Sequence, residues 1–371
     1  MQITELIKHL EKIAPPSLQE SYDNAGLIAG DASWECTGAI ITLDATEDVV
    51  MEAVAKNCNL VIAHHPIVFT GLKKITGASY VEKTVIAAIK HDVAIYAIHT
   101  NLDNVIDGVN GKIADMLGLV SREVLQPKSG LLQKLVVFVP SAQKEQLRNA
   151  LFAAGAGDIG RYSECSFSIA GEGSFKAGPG TNPFVGNIEE QHLETEHRLE
   201  VIFPVWLQPQ VLTAMRQHHP YEEVAHDIFN LENAYQQTGS GLVGMLQTPL
   251  TEEEMLIKLQ HIFNIPVIKH TGLLGKPVNK IAVCGGAGSF LTKAAIRSGA
   301  DMYITSDIKY HEFFDAEGKL LLADIGHYES EHHTITLLFD ILTENFPNFA
   351  VLKTGVQTNP VRYFSRSSNK A

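Results

Sequence analysis

The feature that most restricts the fold of this chain is a strand pattern that occurs near both of its ends. Short, apolar, β-branched runs are each closed by a histidine or an acidic residue, and helical stretches separate them. Residues 38–43 form one such run and stop at Asp44; Leu60-Val61-Ile62-Ala63 stops at His64-His65-Pro66; residues 93–98 stop at His99. Near-continuous apolar strands alternating with helices predict a parallel sheet covered on both faces. The helices are predicted over 46–56, with Thr46 as its cap and acids in its first turn, and over 81–91. From about residue 273 the plan repeats. Residues 280–284 form a strand, Gly285 to Ser289 a turn into a helix over 290–298, and residues 302–305 a strand ending in Ser306-Asp307. A helix begins near His311, and residues 319–323 lead to Asp324-Ile325-Gly326-His327. The strand ending at His64-His65 matches the one ending at Ser306-Asp307, and the strand ending at His99 matches the one ending at His327. The fold class is therefore α/β, with two similar α/β halves.

Between the halves the character changes. Residues 133–140 read as a strand, followed by a helix rich in Ala and Gln. A glycine-rich tract over 171–186 ends the next strand. Then come a strand over 198–204, a helix over 209–218 and a strand over 225–229. The order β-α-β-β-α-β is the ferredoxin-like plan, and it reads as a compact α+β domain inserted into a loop of the main fold. The expected division is 1–130 for the first half, 131–232 for the insertion and 233–371 for the second half. A chain of 371 residues is long for one core. Its 45% hydrophobic and 19% charged content fits packed domains rather than disorder. The net charge of −13 argues against nucleic acid as a partner. Four scattered cysteines without a CxxC spacing suggest free thiols in a reducing compartment. The first residues read as an amphipathic helix rather than a signal peptide, and no apolar run is long enough to span a membrane, so the expected location is the cytoplasm.

Three strand ends supply candidate ligands: His64 and His65; His99 with Asp103 four residues on; and His327 with Glu331 four residues on. Successive strand residues point to opposite faces, so the adjacent histidines can diverge to two metal ions, or to one metal and one solvated pocket. If a helix follows His327, Glu331 shares its face. In open α/β sheets ligands gather at the carboxyl ends of the strands, which places all three endings at one cleft between the halves. Imidazole and carboxylate together suit zinc, manganese, iron or nickel, and the absence of thiolates disfavours a closed structural zinc site. Such a donor set allows two metals about 3.5–4 Å apart, the spacing of dinuclear hydrolases. His99 reads as a ligand, a proton shuttle or a group orienting Asp103. Lys309 and His311 could place a phosphate or donate a proton, or could simply start an exposed helix. Asp44 and Asn24 are weaker candidates, and the glycines at 285–288 could cradle an anion.

These residues resemble those of the Nif-three-like dinuclear metal-centre proteins, also named as homologs of GTP cyclohydrolase type 2. The matching motifs are Ser21-Tyr22-Asp23-Asn24-Ala25-Gly26-Leu27, His64-His65-Pro66, His99-Thr100-Asn101-Leu102-Asp103, Thr305-Ser306-Asp307-Ile308-Lys309-Tyr310-His311, and Gly326-His327 through Glu331. The insertion, through its glycine-rich tract and His219-Pro220-Tyr221-Glu222-Glu223, resembles the domain similar to PII and CutA proteins that longer members carry. The resemblance implies that His64, His65, Asp103, His327 and Glu331 hold two divalent metals per chain, zinc first among the candidates, with Glu331 bridging them. It also implies a toroidal homohexamer with the metal sites facing an internal cavity. The pairing expected here gives one ion His64 and Asp103, and the other His65 and His327. Ser306 stands where the family pattern has glycine. The expected function is a metal-dependent hydrolase of a nucleotide or other phosphate-bearing small molecule, GTP cyclohydrolase-like, with His99 and Lys309 as candidate catalytic groups. The alternative is a non-catalytic, metal-binding regulatory or sensor protein.

Overall fold

The computed structural model describes residues 1–364. The chain divides into two compact units, Met1–Gln126 with Gln237–Ala371, and Pro127–Gln236.

The first unit holds two sheets. One has five strands in the order Gly26–Ala29, Ala94–Ala97, Leu60–His65, Ala39–Asp44, Val351–Lys353. All are parallel except Gly26–Ala29, which runs antiparallel at the edge. The other has six strands in the order Lys269–His270, Leu321–Asp324, Met302–Ser306, Val278–Ala287, Tyr235–Leu250, Leu119–Lys128. Its three middle strands, Val278–Ala287, Met302–Ser306 and Leu321–Asp324, are parallel, and Lys269–His270 is their antiparallel edge. The two sheets thus share a plan: three parallel strands in the same relative order, with an antiparallel strand beside the third.

The strand pleat explains the apolar runs. Ile40, Val61 and Ile95 point outward onto the helices Glu47–Ala55 and Tyr80–Lys90. Their neighbours Ile41, Ile62 and Tyr96 point inward, as alternation requires. The second sheet does the same. Ala282, Tyr303 and Leu322 face outward, and Ile281, Ile304 and Ala323 face inward. Both inward faces belong to one core, filled by the helices Ile3–Ile13, Val109–Leu117, Glu252–Phe263 and Thr334–Asn345. The expected cap is present, with Thr46 Oγ1 accepting from the Val49 amide; Ser79 and Thr251, not singled out in the sequence, cap their helices in the same way.

The two sheets of the first unit are not built from consecutive stretches of chain. The strand Leu119–Lys128 joins the second sheet, and Val351–Lys353 joins the first. The helices before these strands cross as well. Val109–Leu117 packs on Val278–Ala287, whereas Thr334–Asn345 packs on Ala39–Asp44 and Val351–Lys353. A shared core rewards this exchange, because each helix buries apolar surface against the other half's sheet.

The second unit is a single four-stranded antiparallel sheet in the order Phe167–Lys176, Gln191–Pro204, Leu132–Pro140, His226–Leu231. The helices Lys144–Ala153 and Gln208–His218 complete a ferredoxin-like β-α-β-β-α-β arrangement. Leu135, Val137, Leu199 and Val201 pack there against Leu147, Leu151, Val211 and Met215. Among the described residues no helix is long and apolar enough to cross a membrane.

Ile62 is fully buried on the inward face of the first sheet. Ile62→Ala should lower the stability of the first unit by about 2–5 kcal/mol, read as an earlier urea midpoint in its circular-dichroism transition.

Candidate metal centre

The crossing geometry decides where the ligands meet. Each chain segment leaves the end of its third parallel strand through a histidine and a short helical turn. Thr100–Asp103 follows His99, and His327–Glu331 follows Asp324-Ile325-Gly326. Each then passes to the other sheet. The two turns, together with the end of the strand Leu60–His65, converge on one cavity of about 480 Å³ lined by His65, His99, Asp103, His327 and Glu331.

Four imidazoles gather in one cluster beside this cavity, and each is fixed through Nδ1. His64 Nδ1 donates to the Ile98 carbonyl at 2.8 Å. His65 Nδ1 lies 2.7 Å from Asp44, His99 Nδ1 2.7 Å from Asp23, and His327 Nδ1 2.7 Å from Asp307. An acceptor on Nδ1 fixes the ring's orientation and turns Nε2 to the cavity, the arrangement that metal-ligating histidines almost always have. Asp23 is held in turn by the amide and hydroxyl of Thr100, and Asp44 by the Thr358 hydroxyl at 2.7 Å.

Glu331 sits among these rings with its side chain nearly fully buried. Its Oε2 is 2.9 Å from His65 Nε2 and 3.0 Å from His327 Nε2, while Oε1 lies 4.0 Å from His64 Nε2. His64 Nε2 is also 3.6 Å from Asp103 Oδ1. The donors fall into three trios, each with its ligand atoms within 4.8 Å of one another: His64, Asp103 and Glu331; His65, His327 and Glu331; and His64, His65 and His99. His64 and His65 thus join different trios around Glu331 and meet in the third. At the strand end the two rings lie close, with centroids 5.0 Å apart, but only His65 lines the cavity, while His64 is fully buried.

The electrostatics are those of donors gathered for a cation. Burial drives the pKa of His64 down to about 3. Burial also lowers His65 and His327, but hydrogen bonds donated to Asp44 and Glu331, or to Glu331 and Asp307, outweigh it and raise them to about 10 and about 9. Burial and the neighbouring Glu331 charge push Asp103 well above the ordinary carboxyl range. Glu331 goes the other way: burial opposes its charge, but hydrogen bonds from His327 and His65 hold it ionised. Most telling, His64 Nε2 and Asp103 Oδ1 are shut off from water and have no hydrogen-bond partner. Buried polar atoms are normally paired, because an unpaired one loses its hydration without replacement. Two such atoms facing each other across 3.6 Å fit a divalent cation between them.

The glycines at 285–288 have a different role from the expected anion cradle. Gly285 and Gly286 end the strand Val278–Ala287, and a Cβ on Gly286 would lie 2.3 Å from Glu331 Oε1. Gly286 also has φ +63°, a conformation that only glycine adopts readily. These residues make room for the carboxylate. Ser306, the departure from the family pattern, is buried and donates to the Gly286 carbonyl at 2.5 Å, which braces the same corner. Lys309 and His311 lie elsewhere. Lys309 is exposed beside a 3₁₀ turn, Tyr310–Ala316, where the sequence suggested a helix beginning near His311, and neither residue lines the cavity. Asn24 donates to the Val68 carbonyl and so ties two loops at the cavity mouth. The sequence reading missed Asp23 and Asp307 as imidazole partners. Asp307 carried one signal, since an acid directly after a strand often adopts the left-handed φ, here +57°, that it shows.

A model of the family Duf34/NIF3 (NGG1p interacting factor 3) matches residues 1–360. The chain belongs to the Duf34/NIF3 family. A Bacillus subtilis relative named GTP cyclohydrolase 1 type 2 homolog is 40% identical, with 87% of each chain covered. A Staphylococcus epidermidis relative of the same name is 32% identical, over 98% of this chain and 100% of that one. Among solved structures, a Bacillus cereus protein related to NIF3 superposes with a TM-score of 0.85 at 35% identity, over 98% and 99% of the two chains. Staphylococcus aureus protein SA1388 does so at 0.76 and 27%, with the same coverage. The long, NIF3-like form with its ferredoxin-like unit is thus a shared architecture.

Asp307 touches His327 alone among the candidate donors. Asp307→Asn should weaken metal binding roughly 10–100-fold through loss of that anchor, measured by competition with a chromophoric chelator.

Proposed function

We propose that this protein is a dinuclear metal-dependent hydrolase of a small molecule. The observation that carries the reading is the pair of buried, partnerless atoms, His64 Nε2 and Asp103 Oδ1, beside a carboxylate shared by two donor trios. His64, Asp103 and one oxygen of Glu331 would hold one ion; His65, His327 and the other oxygen would hold the second. When bound, two such ions lower the pKa of a water and polarise the group it attacks.

The chain's own residues supply the rest. Glu331, already ionised, keeps a negative charge between the two positions. Asp44 and Asp307 hold His65 and His327 by Nδ1, so binding a cation releases protons from their Nε2 atoms rather than turning the rings. His99 presents Nε2 to the cavity while Asp23 holds its Nδ1, the arrangement of a general base or acid that can pass a proton from or to a bound substrate. The relatives' name points to nucleotides as the first substrates to test.

Elemental analysis should find two divalent ions per chain in the native protein and none in Glu331→Ala, whereas Asp103→Ala and His327→Ala should each retain one. Loss of both ions in all three variants would defeat the shared-carboxylate arrangement. Turnover of a nucleoside and nucleotide panel should vanish on dialysis against a chelator and return with metal. Undiminished turnover in metal-stripped protein would refute the hydrolase reading.

A further inference from the structure

The cavity has a second character beside its donors. Tyr22, Phe69, Tyr80 and Phe290 line it, and none of them is a candidate ligand. They come from four separate places: the loop before the strand Gly26–Ala29, the loop after His65-Pro66, the first residue of the helix Tyr80–Lys90, and the 3₁₀ turn Ser289–Leu291. All four are open to solvent, at 63%, 49%, 70% and 62% exposure. Large aromatic side chains normally bury most of their surface, so four exposed ones around a single cavity offer a surface for an occupant.

The rim is organised. The Tyr22 and Phe69 rings are 6.3 Å apart and tilted by 39°. Phe69 meets the His99 ring edge-to-face at 6.2 Å, so the aromatic surface runs continuously from the mouth to the donors. The Asn24 bond to the Val68 carbonyl fixes the Tyr22 loop to the Phe69 loop. Flat aromatic faces of this kind hold planar rings by stacking, without regard to the ring's hydrogen-bonding pattern.

The charges of the cavity limit the rest of the ligand. Glu20, Asp44, Asp103 and Glu331 contribute carboxylates to its wall, and among the described residues no lysine or arginine lines it. Two divalent cations would be matched by these four acids alone. Phosphate groups are ordinarily held by lysine or arginine forks, by backbone amides at a helix start or by metal ions, and this wall offers no fork to add to what the metals would hold. A polyphosphate would enter a region already neutral or negative.

We infer that the rim is a ring-binding subsite, and that the site takes a planar heteroaromatic compound of low charge, such as a nucleobase or nucleoside, rather than a nucleoside triphosphate. This rests on the two-metal reading and narrows its substrate class. The reacting bond then belongs to the ring or to a group attached directly to it, since that part of the ligand reaches the donors past Phe69 and His99.

The test is calorimetric titration of the full-length, zinc-loaded protein with guanosine, GTP and ribose 5-phosphate. Zinc content and oligomeric state are measured alongside. Guanosine should bind at least about tenfold more tightly than ribose 5-phosphate, and GTP no more tightly than guanosine. The pairs Tyr22→Ala with Phe69→Ala, and Tyr80→Ala with Phe290→Ala, should each weaken guanosine about tenfold or more, with zinc unchanged. Tyr22→Leu with Phe69→Leu keeps the apolar bulk and should show the same loss, which guards against a folding defect in the alanine pair. Tighter binding of GTP than of guanosine, equal binding of ribose 5-phosphate, or unchanged affinity in the variants would each overturn the inference. So would a change of oligomeric state in the variants, which would assign the rim to a contact between copies. Failure of the two-metal reading is seen separately, as a zinc content below two per chain in the unaltered protein.

Discussion

The architecture depends on one constraint: neither sheet of the first unit can cover its own inner face. Ile41, Ile62 and Tyr96 on one sheet, and Ile281, Ile304 and Ala323 on the other, all need the same layer of helices. Burying both faces against that layer is the dominant favourable term, and it ties each half to helices and a strand supplied by the other. The metal-centre candidates inherit their position from this. His99 and His327 stand where the chain leaves one sheet for the other, so Asp103 and Glu331 fall at the seam.

Within the seam, apolar packing and site chemistry pull in opposite directions. A carboxylate as buried as Glu331 costs several kcal/mol unless it is paired. Without metal its partners are the His65 and His327 imidazoles, both held protonated by it. His64 and Asp103 have no such resolution: one is neutral by burial, the other favours its proton, and their facing atoms bond to nothing. The fold accepts this unfavourable arrangement because rigid elements impose it. The strand Leu60–His65 is locked by neighbours on both sides, and Gly285-Gly286, lacking a Cβ, leave room for Glu331 against them. Such places, where the packing rules are broken locally, are where function is expected.

Much of this was legible in the sequence. Apolar runs of four to six residues closed by His64-His65, His99 and His327 gave the strands and the candidate donors, because a buried parallel strand has to end where polar side chains are tolerated. The ferredoxin-like order of the second unit followed from turn and strand signals. The exchange of Leu119–Lys128 and Val351–Lys353 was not legible. Periodicity reveals that a residue faces a core, but not whose core it is. The anchors Asp23 and Asp307 were missed for a related reason. They lie 76 and 20 residues from the imidazoles they hold, and only tertiary geometry brings them there. For Lys309 the sequence left open a phosphate or proton role and an exposed helix start; the left-handed turn at Asp307 precedes a 3₁₀ segment that leaves it in solvent.

The exchanged strands also set an order in time. On a ribosome, His65 emerges 266 residues before the carboxylate it will face, and the edge strand Val351–Lys353 and the Thr358 hydroxyl that steadies Asp44 come later still. The three histidines of the first sheet can gather early, but Glu331 is made long after them. Contacts that span so much sequence close slowly. A nascent chain therefore offers a passing metal ion an incomplete set of donors, and the full set forms only once the two sheets have closed on each other.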